Sequence, residues 1–356
     1  MGVGPGGAIP EELYVDTGTQ ATSDRAVPEG VADDVTEVDM LIVGAGPAGL
    51  FGAYYAGFRG MKVALMDSLP EAGGQVTAMY PEKMIYDIAG FPAVRGRDLV
   101  NALVEQASVF SPAYLLGQQA AEVTHTDDGV LVTSAQGGRV RAKVIVITGG
   151  LGTFTPRPLP IGTDYLGRGL VYFVPSLDAY AGQDVVVVGG GDSAFDWALA
   201  LDGLARSVTL VHRRDRFRAH EHTVSRVLAG SAEVLTFTEV ATIHGSEKVE
   251  KVELVHAKTG DRHVRPADTI VAALGFTADL GPLTRWGLTI DKRHIVVDST
   301  MSTGVERIFA AGDIVEYPGK IRLIATGFGE VATAVNNAAP VVDPAAKVFP
   351  GHSSEG

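Results

Sequence analysis

Val38-Asp39-Met40-Leu41-Ile42-Val43-Gly44-Ala45-Gly46-Pro47-Ala48-Gly49 is the stretch that decides how this chain folds. A short apolar run ends in a Gly-x-Gly-x-x-Gly turn. Leu50 to Phe58 then reads as a helix, and Lys62 to Met66 as a second strand that stops at Asp67. Strand, glycine turn, helix and strand make a βαβ unit. In such a unit Gly44 permits the tight turn and Gly46 lets the backbone approach a pyrophosphate. Gly49 lets helix and strand pack closely, and Pro47 and Ala48 open a helix whose N-terminus attracts phosphate charge. Asp67 is placed to accept hydrogen bonds from ribose hydroxyls and would repel a 2′-phosphate. The first loop therefore predicts FAD or NAD rather than NADP.

A second loop follows the same logic. Asp184 to Val188 is an apolar strand, and Gly189-Gly190-Gly191-Asp192-Ser193-Ala194 is the turn, with Ala194 tolerated at the third position. Asp192 belongs to the turn that receives the nucleotide and has no acid–base role. The next strand, Val208 to Val211, ends in His212-Arg213-Arg214 with Arg218 close behind. The guanidinium forks of Arg213, Arg214 and Arg218 suit a phosphate monoester, so this loop predicts NADPH/NADP+. Two such loops in one chain imply two nucleotides brought together, as when a flavoprotein takes hydride from a nicotinamide. The chain holds no cysteine, so electrons cannot leave through a thiol relay.

Organisation along the chain predicts an α/β protein with two Rossmann-like nucleotide-binding domains, the NADPH domain inserted into a discontinuous FAD domain. Residues 37–154 plus 276–356 form the FAD-binding domain and 155–275 the NADPH-binding domain. A helix is expected from Arg97 to Phe110 and strands closing near Val144 to Gly149. Thr155-Pro156-Arg157-Pro158-Leu159-Pro160 reads as a linker. Further strands are expected around Val252–His256 and Asp268–Ala273, then a strand and turn from Arg307 to Asp313 and a helix from about Gly329 to Ala339. Residues 1–36 carry seven acids against Arg25 and no periodicity, and read as a disordered acidic arm.

Composition narrows the function classes. A net charge of −13 over 356 residues argues against nucleic acid as a partner. No stretch approaches the ~20 apolar residues of a membrane span, and the first 36 residues lack the basic start and apolar core of a secretory signal. Without disulfides the expected location is cytoplasmic. His220 and His222 would point apart on a helix and make a poor metal pair, and Trp197 and Trp286 read as core.

The combination resembles the thioredoxin-reductase-like flavoproteins, in which an NADPH domain is inserted into an FAD domain. In that superfamily a late glycine–aspartate turn contacts the ribityl chain of the flavin, and Gly312-Asp313 matches it. Thioredoxin reductases carry a redox Cys-x-x-Cys ahead of the NADPH fingerprint, where this chain has Val174-Pro175-Ser176-Leu177. A narrower resemblance spans nearly the whole chain from about residue 38. Asp67-Ser68-Leu69-Pro70, Gly73-Gly74-Gln75, Tyr80-Pro81-Glu82-Lys83, Tyr86 to Pro92, Gly191 to Ala194, His212 to His222 and His352-Ser353-Ser354 are similar to the ferredoxin–NADP reductases of thioredoxin-reductase type.

That resemblance implies FAD contacts at Asp67, Gln75 (with Gly74), Tyr80, Ala120, Phe154, Asp313 and Ser354. It also implies stacking on the flavin by Tyr80 and by His352, the latter from a homodimer partner. It implies a hinged NADPH domain, hydride transfer between NADPH and flavin N5, and one-electron steps to ferredoxin or flavodoxin. A diaphorase reducing quinones or free flavin, and a non-turnover NADP(H)-sensing flavoprotein, are the alternatives. Because such partners are usually acidic, Lys83, Arg95, Arg97, Lys320 and Arg322 are the candidate docking patch.

Overall fold

The computed structural model describes residues 35–351. These divide into two compact units. One comprises the described residues up to Thr77, then Met84–Thr153 and those from Asp279 onward; the other comprises Ala78–Lys83 and Phe154–Ala278.

In the first unit the quoted stretch forms the strand Val35–Val43 and the helix α1, Pro47–Phe58. The strand is parallel to Val63–Met66 on one side and to Arg139–Ile147 on the other. The strand order runs Ala113–Leu115, Val63–Met66, Val35–Val43, Arg139–Ile147, Val130–Ser134, Ala120–His125. Arg139–Ile147 forks. Its first half pairs antiparallel with Val130–Thr133, and its last three residues pair in parallel with Ile308–Ala310. Met40, Leu41, Ile42 and Val144 to Ile147 are fully buried, as expected for strands covered on both faces. The register aligns Val43 with both Met66 and Ile147, so the three central strands end level, and ligands of open α/β sheets bind outside such ends.

Short α2, Gln75–Met79, and α3, Gly96–Ser108, follow α1, and α6, Ile324–Val342, closes the unit; α4, Asp192–Leu201, and α5, Glu221–Ala229, belong to the second unit. A Cβ on Gly52 would stand 2.7 Å from Val331 Cγ2, so a glycine is what lets α1 and α6 approach.

The second unit is built on the parallel order Leu170–Val171, Thr269–Ala272, Asp184–Val188, Ser207–Val211, Glu233–Leu235. Side chains alternate across this sheet. Val185 and Val187 pack with Phe195, Trp197 and Leu201 of α4, whereas Val186 and Val188 pack with Ile243, Val252 and Leu254. The latter belong to an antiparallel three-stranded sheet, Thr238–His244, Lys251–His256 and Arg262–Pro266. Trp197 and Trp286 are both buried, and Trp286 Nε1–H donates to Ala121 O at 3.2 Å.

Four boundaries differ from the sequence expectation. The first strand begins at Val35, so Val35 and Thr36 of the stretch assigned to the arm pair with Arg139 and Val140; residues 1–34 lie outside the described residues. The linker begins as a strand, Thr153–Pro156, laddered with Phe276–Asp279. The helix expected from Gly329 starts at Ile324 and runs through Pro340 to Val342. Ala78–Lys83 belongs with the second unit: Lys83 pairs with Asp196 at 2.7 Å, and Tyr80 packs against the core containing Phe195 and Trp197.

Candidate functional site

The three fingerprint positions of the first loop do different work. Gly44 has φ +115°, and a Cβ there would lie 2.6 Å from Thr148 O. At Gly49 it would lie 1.9 Å from Gly44 O, an impossible contact, so helix and strand meet only through glycine. Gly46 differs: within 4 Å its Cβ would find only Gly74 Cα, at 3.9 Å. The second position thus presents open backbone at the helix N-terminus, where α1 has Pro47 in its first turn and no acid. Unpaired N–H groups and the helix dipole favour an anion there.

Asp67 stands below this loop. Its Oδ2 accepts the Ala45 N–H at 2.6 Å and its Oδ1 the Leu69 N–H at 2.9 Å. Burial pushes its carboxyl above the ordinary range, and those N–H groups oppose the shift. The carboxylate expected to meet ribose hydroxyls therefore also buttresses the loop. Thr148, which the sequence reading passed over, binds it from the other side, its Oγ1–H donating to Gly44 O at 2.8 Å.

Gly73 N–H donates to Ala45 O at 2.8 Å, and Gly74, φ +57°, faces Gly46. Gln75 follows at the start of α2, and its amide lies over Gly150. Gln118 N–H donates to Asp67 O at 2.8 Å, which brings Ala120, buried at the start of its strand, to the same end of the sheet. Gly312, φ +85°, comes within van der Waals reach of Ala48, since a Cβ on it would stand 3.4 Å from Ala48 Cβ. Asp313 is held above the ordinary carboxyl range by burial, with Lys320 and Arg322 pulling it down.

Gly44 to Gly49, Asp67, Gly74, Gln75, Ala120 and Gly312-Asp313 thus all belong to the first unit. Tyr80 belongs to the second unit. Phe154 is described through its backbone alone, and His352 and Ser354 lie outside the described residues.

The second loop repeats the pattern with other partners. A Cβ on Gly189 would stand 2.3 Å from Ala273 O, Ala194 is fully buried, and around Gly191 nothing lies within 4 Å. Gly191 is the N-cap of α4, and Ser193 lies in its first turn. The imidazole of His212 covers Gly190, where a Cβ would lie 2.3 Å from the ring. Burial lowers the His212 pKa first, and Arg213, Arg214 and Arg218 lower it further, so the ring is neutral at pH 7. The following segment folds back on the loop. Arg218 N–H donates to Gly190 O at 2.8 Å and His220 N–H to Asp192 Oδ1 at 2.9 Å. Arg213, Arg214 and Arg218 are exposed, and none forms an ion pair among the described residues.

Of the five cations expected to form a docking patch, the geometry corrects one, Lys320. Arg95 pairs with Asp98 at 3.0 Å, Arg322 with Glu316 at 2.6 Å, and Lys83 with Asp196. Lys320 is not a surface residue: its side chain is 1% exposed and grips Glu330 at 2.6 Å. Lys83, Arg95 and Arg322 thus each stand beside an acid, and Arg97 is exposed.

The pyridine nucleotide-disulphide oxidoreductase family matches residues 38–338. The ferredoxin–NADP reductase of Frankia casuarinae is 81% identical over 316 residues, 89% of this chain and 98% of that protein. The ferredoxin–NADP reductase of Nocardioides sp. is 62% identical over 328 residues, 91% and 99% of the two chains. Among solved structures, the thioredoxin reductase of Lactococcus lactis in its FR conformation superposes with a TM-score of 0.70 at 27% identity, covering 86% of this chain and 99% of that one.

Proposed function

The chain belongs to the pyridine nucleotide-disulphide oxidoreductase family and within it to the ferredoxin–NADP reductases, and from that premise we propose that it moves electrons between NADPH and a ferredoxin or flavodoxin through bound FAD. The observation that carries the reading is the contrast at the two strand ends: a half-buried acid, Asp67, held by two N–H donors after the first loop and three exposed arginines after the second.

The residues fit both groups. The second glycine of each loop, Gly46 and Gly191, leaves open backbone where a diphosphate needs it. We assign the first unit to FAD and the second to NADPH. The α1 N-terminus and the N–H groups of Gly46, Ala48 and Gly49 hold the FAD diphosphate; Asp67, already fixed by two N–H donors, offers its remaining lone pairs to the ribose. The Gly312-Asp313 turn meets the flavin half, and Gln75 and Ala120 of the same unit complete that site; Tyr80, Phe154 and Ser354 are FAD contacts by resemblance alone. In the second unit Gly189, Gly190, Gly191, Asp192, Ser193 and Ala194 receive the NADPH diphosphate. Arg213, Arg214 and Arg218 bind the 2′-phosphate, and the neutral ring of His212 keeps the loop in shape without adding charge.

Bound FAD supplies the coupling between a two-electron donor and one-electron acceptors. The chain contributes position and electrostatics and needs no acid–base side chain for that exchange. With no cysteine in the chain, no thiol stands between flavin and acceptor. The reading extends to a homodimer in which His352 covers the flavin of the other subunit. It extends also to a cytoplasmic location; among the described residues no helix is long and apolar enough to cross a membrane.

Anaerobic rapid mixing with NADPH and with NADH, following flavin absorbance, tests the assignment. Rapid bleaching by NADPH and slow bleaching by NADH is expected. A preference for NADH would remove the 2′-phosphate role from the arginines. Turnover on ferredoxin no faster than on quinones or iron chelates would make the chain a diaphorase instead, and no bleaching at all would leave a sensor.

A further inference from the structure

Glu330 is an acid on the buried face of α6, 5% exposed, and Lys320 beside it is 1% exposed. The ammonium stands 2.6 and 2.7 Å from the two carboxylate oxygens. The Tyr317 hydroxyl donates to Oε1 at 2.6 Å and the Gly312 N–H to Oε2 at 2.8 Å. Four donor contacts use the acceptor capacity of one carboxylate. The hydrogen bond to Glu330 pushes the Tyr317 hydroxyl up to about 12, so it remains a donor throughout the neutral range.

Stability alone is a poor account of this network. Each buried ion costs several kcal/mol to desolvate, and apolar replacements of similar volume are often neutral for folding. Its geometry is more specific. One side chain ties down three points of a single loop: its start at Gly312, and Tyr317 and Lys320, which are themselves joined by a turn in which Lys320 N–H donates to Tyr317 O at 3.1 Å. The tethered turn is also wedged between helices, with Gly312 against Ala48 of α1 and a Cβ on Gly327 of α6 only 3.4 Å from Gly312 Cα. A shift of the turn by a fraction of an ångström therefore changes what Asp313 presents.

We propose that Glu330 is a positioning residue for the cofactor: through the Gly312 N–H it fixes the Gly312-Asp313 turn against the N-terminus of α1, and so sets how tightly FAD is held. The proposal rests on the reading of Asp313 as a FAD contact.

The test uses the full-length holoenzyme carrying Lys320→Met with Glu330→Met, which removes the charges together and leaves Gly312 N–H without its acceptor. The readouts are the rate of FAD release on dilution, followed by the fluorescence of freed flavin, the visible flavin absorption envelope, and the thermal midpoint of the same protein stripped of FAD. FAD release about tenfold faster is expected, with an altered absorption envelope and a midpoint for the stripped protein only a few degrees lower, as the buried Gly312 N–H loses its acceptor. Release within twofold of the parent would overturn the proposal. If the double variant does not fold, Glu330→Asp replaces it and is read in the same way; it keeps a charge for Lys320 but is one methylene short of Gly312. Asp313→Asn in the parent separates the two ideas. If it leaves release unchanged, the turn is not a FAD contact; if it speeds release while the Glu330 variants do not, only the role of Glu330 fails.

Discussion

The two glycine loops share one backbone design and differ in what surrounds it. Around the first, the acid at the next strand end is drawn under the loop: Asp67 accepts the Ala45 and Leu69 N–H groups and is half-buried. Around the second, the basic residues at the next strand end stay in solvent, and the contact with the loop is made by the His212 ring and the Arg218 backbone. The first site invests its charged group in holding the loop, the second leaves its charges free for a ligand. Architecture is common to both, and on the proposed reading the nucleotide is chosen by a few side chains beyond the turn.

The sharpest way to break this comparison is to add one methyl group to different positions of the two loops. Gly49→Ala forces a Cβ onto Gly44 O, where it would lie 1.9 Å away, and should cost about 3 kcal/mol or more in denaturant unfolding together with loss of bound FAD. Gly191→Ala meets nothing within 4 Å. It should leave unfolding within about 1 kcal/mol of the parent while raising the NADPH KM roughly tenfold, as the methyl takes space meant for the diphosphate. Equal destabilisation by the two would erase the distinction between packed and open fingerprint positions.

Arg213→Ala combined with Arg214→Ala should lower kcat/KM for NADPH about a hundredfold, two charge-assisted contacts at roughly 1.5 kcal/mol each, and leave NADH almost untouched. An unchanged NADPH/NADH ratio would mean that the exposed arginines serve something else.

The smallest effect concerns pH, where the units run in opposite directions. The hydrogen bond from Arg265 holds Glu233 in the second unit below its ordinary value of 4.5. Its contribution to stability is present above that value and is lost as pH falls through the folded pKa. Asp67 in the first unit is raised by burial, so its contribution is greatest below 3.8 and is lost as pH rises through its folded pKa. Glu233→Gln should therefore destabilise by less than about 1 kcal/mol at pH 7, because the pair is half-exposed and screened. In urea melts repeated toward pH 3 the difference should fade; a gap that persists there would show that Glu233 acts by shape and not by charge.

Both loops, Asp67 and the arginines were legible in the sequence because each is a local pattern: a strand, a turn of fixed spacing, a helix and the next strand end. What was not legible depends on pairing at long range. Val35 and Thr36 look like part of an acidic arm until Arg139 and Val140 give them partners. Ala78–Lys83 reads as continuous with α2, yet the partner of Lys83 lies more than a hundred residues away at Asp196. Lys320 was misread as a surface cation for the same reason, since a count of cations cannot see the buried acid that holds it. Glu330 did leave a signal. It lies between Gly327 and Ala334 on the i, i+3, i+4 stripe that α6 buries through Val331, Ala334, Val335 and Ala338, and an acid on that stripe needs a buried partner.

The way the two units share the chain has a consequence for synthesis on the ribosome. Everything the second unit needs has been translated once Ala278 is made. The first unit, although its strands are translated earlier, then still lacks Ile308–Ala310, the parallel neighbour of Arg139–Ile147, and the whole of α6. Domains generally fold as units during translation, so the half begun first is finished last. Until α6 arrives, the apolar face of α1 that packs against Val331 stays open to solvent, and that nascent interval is when a chaperone would have most to hold.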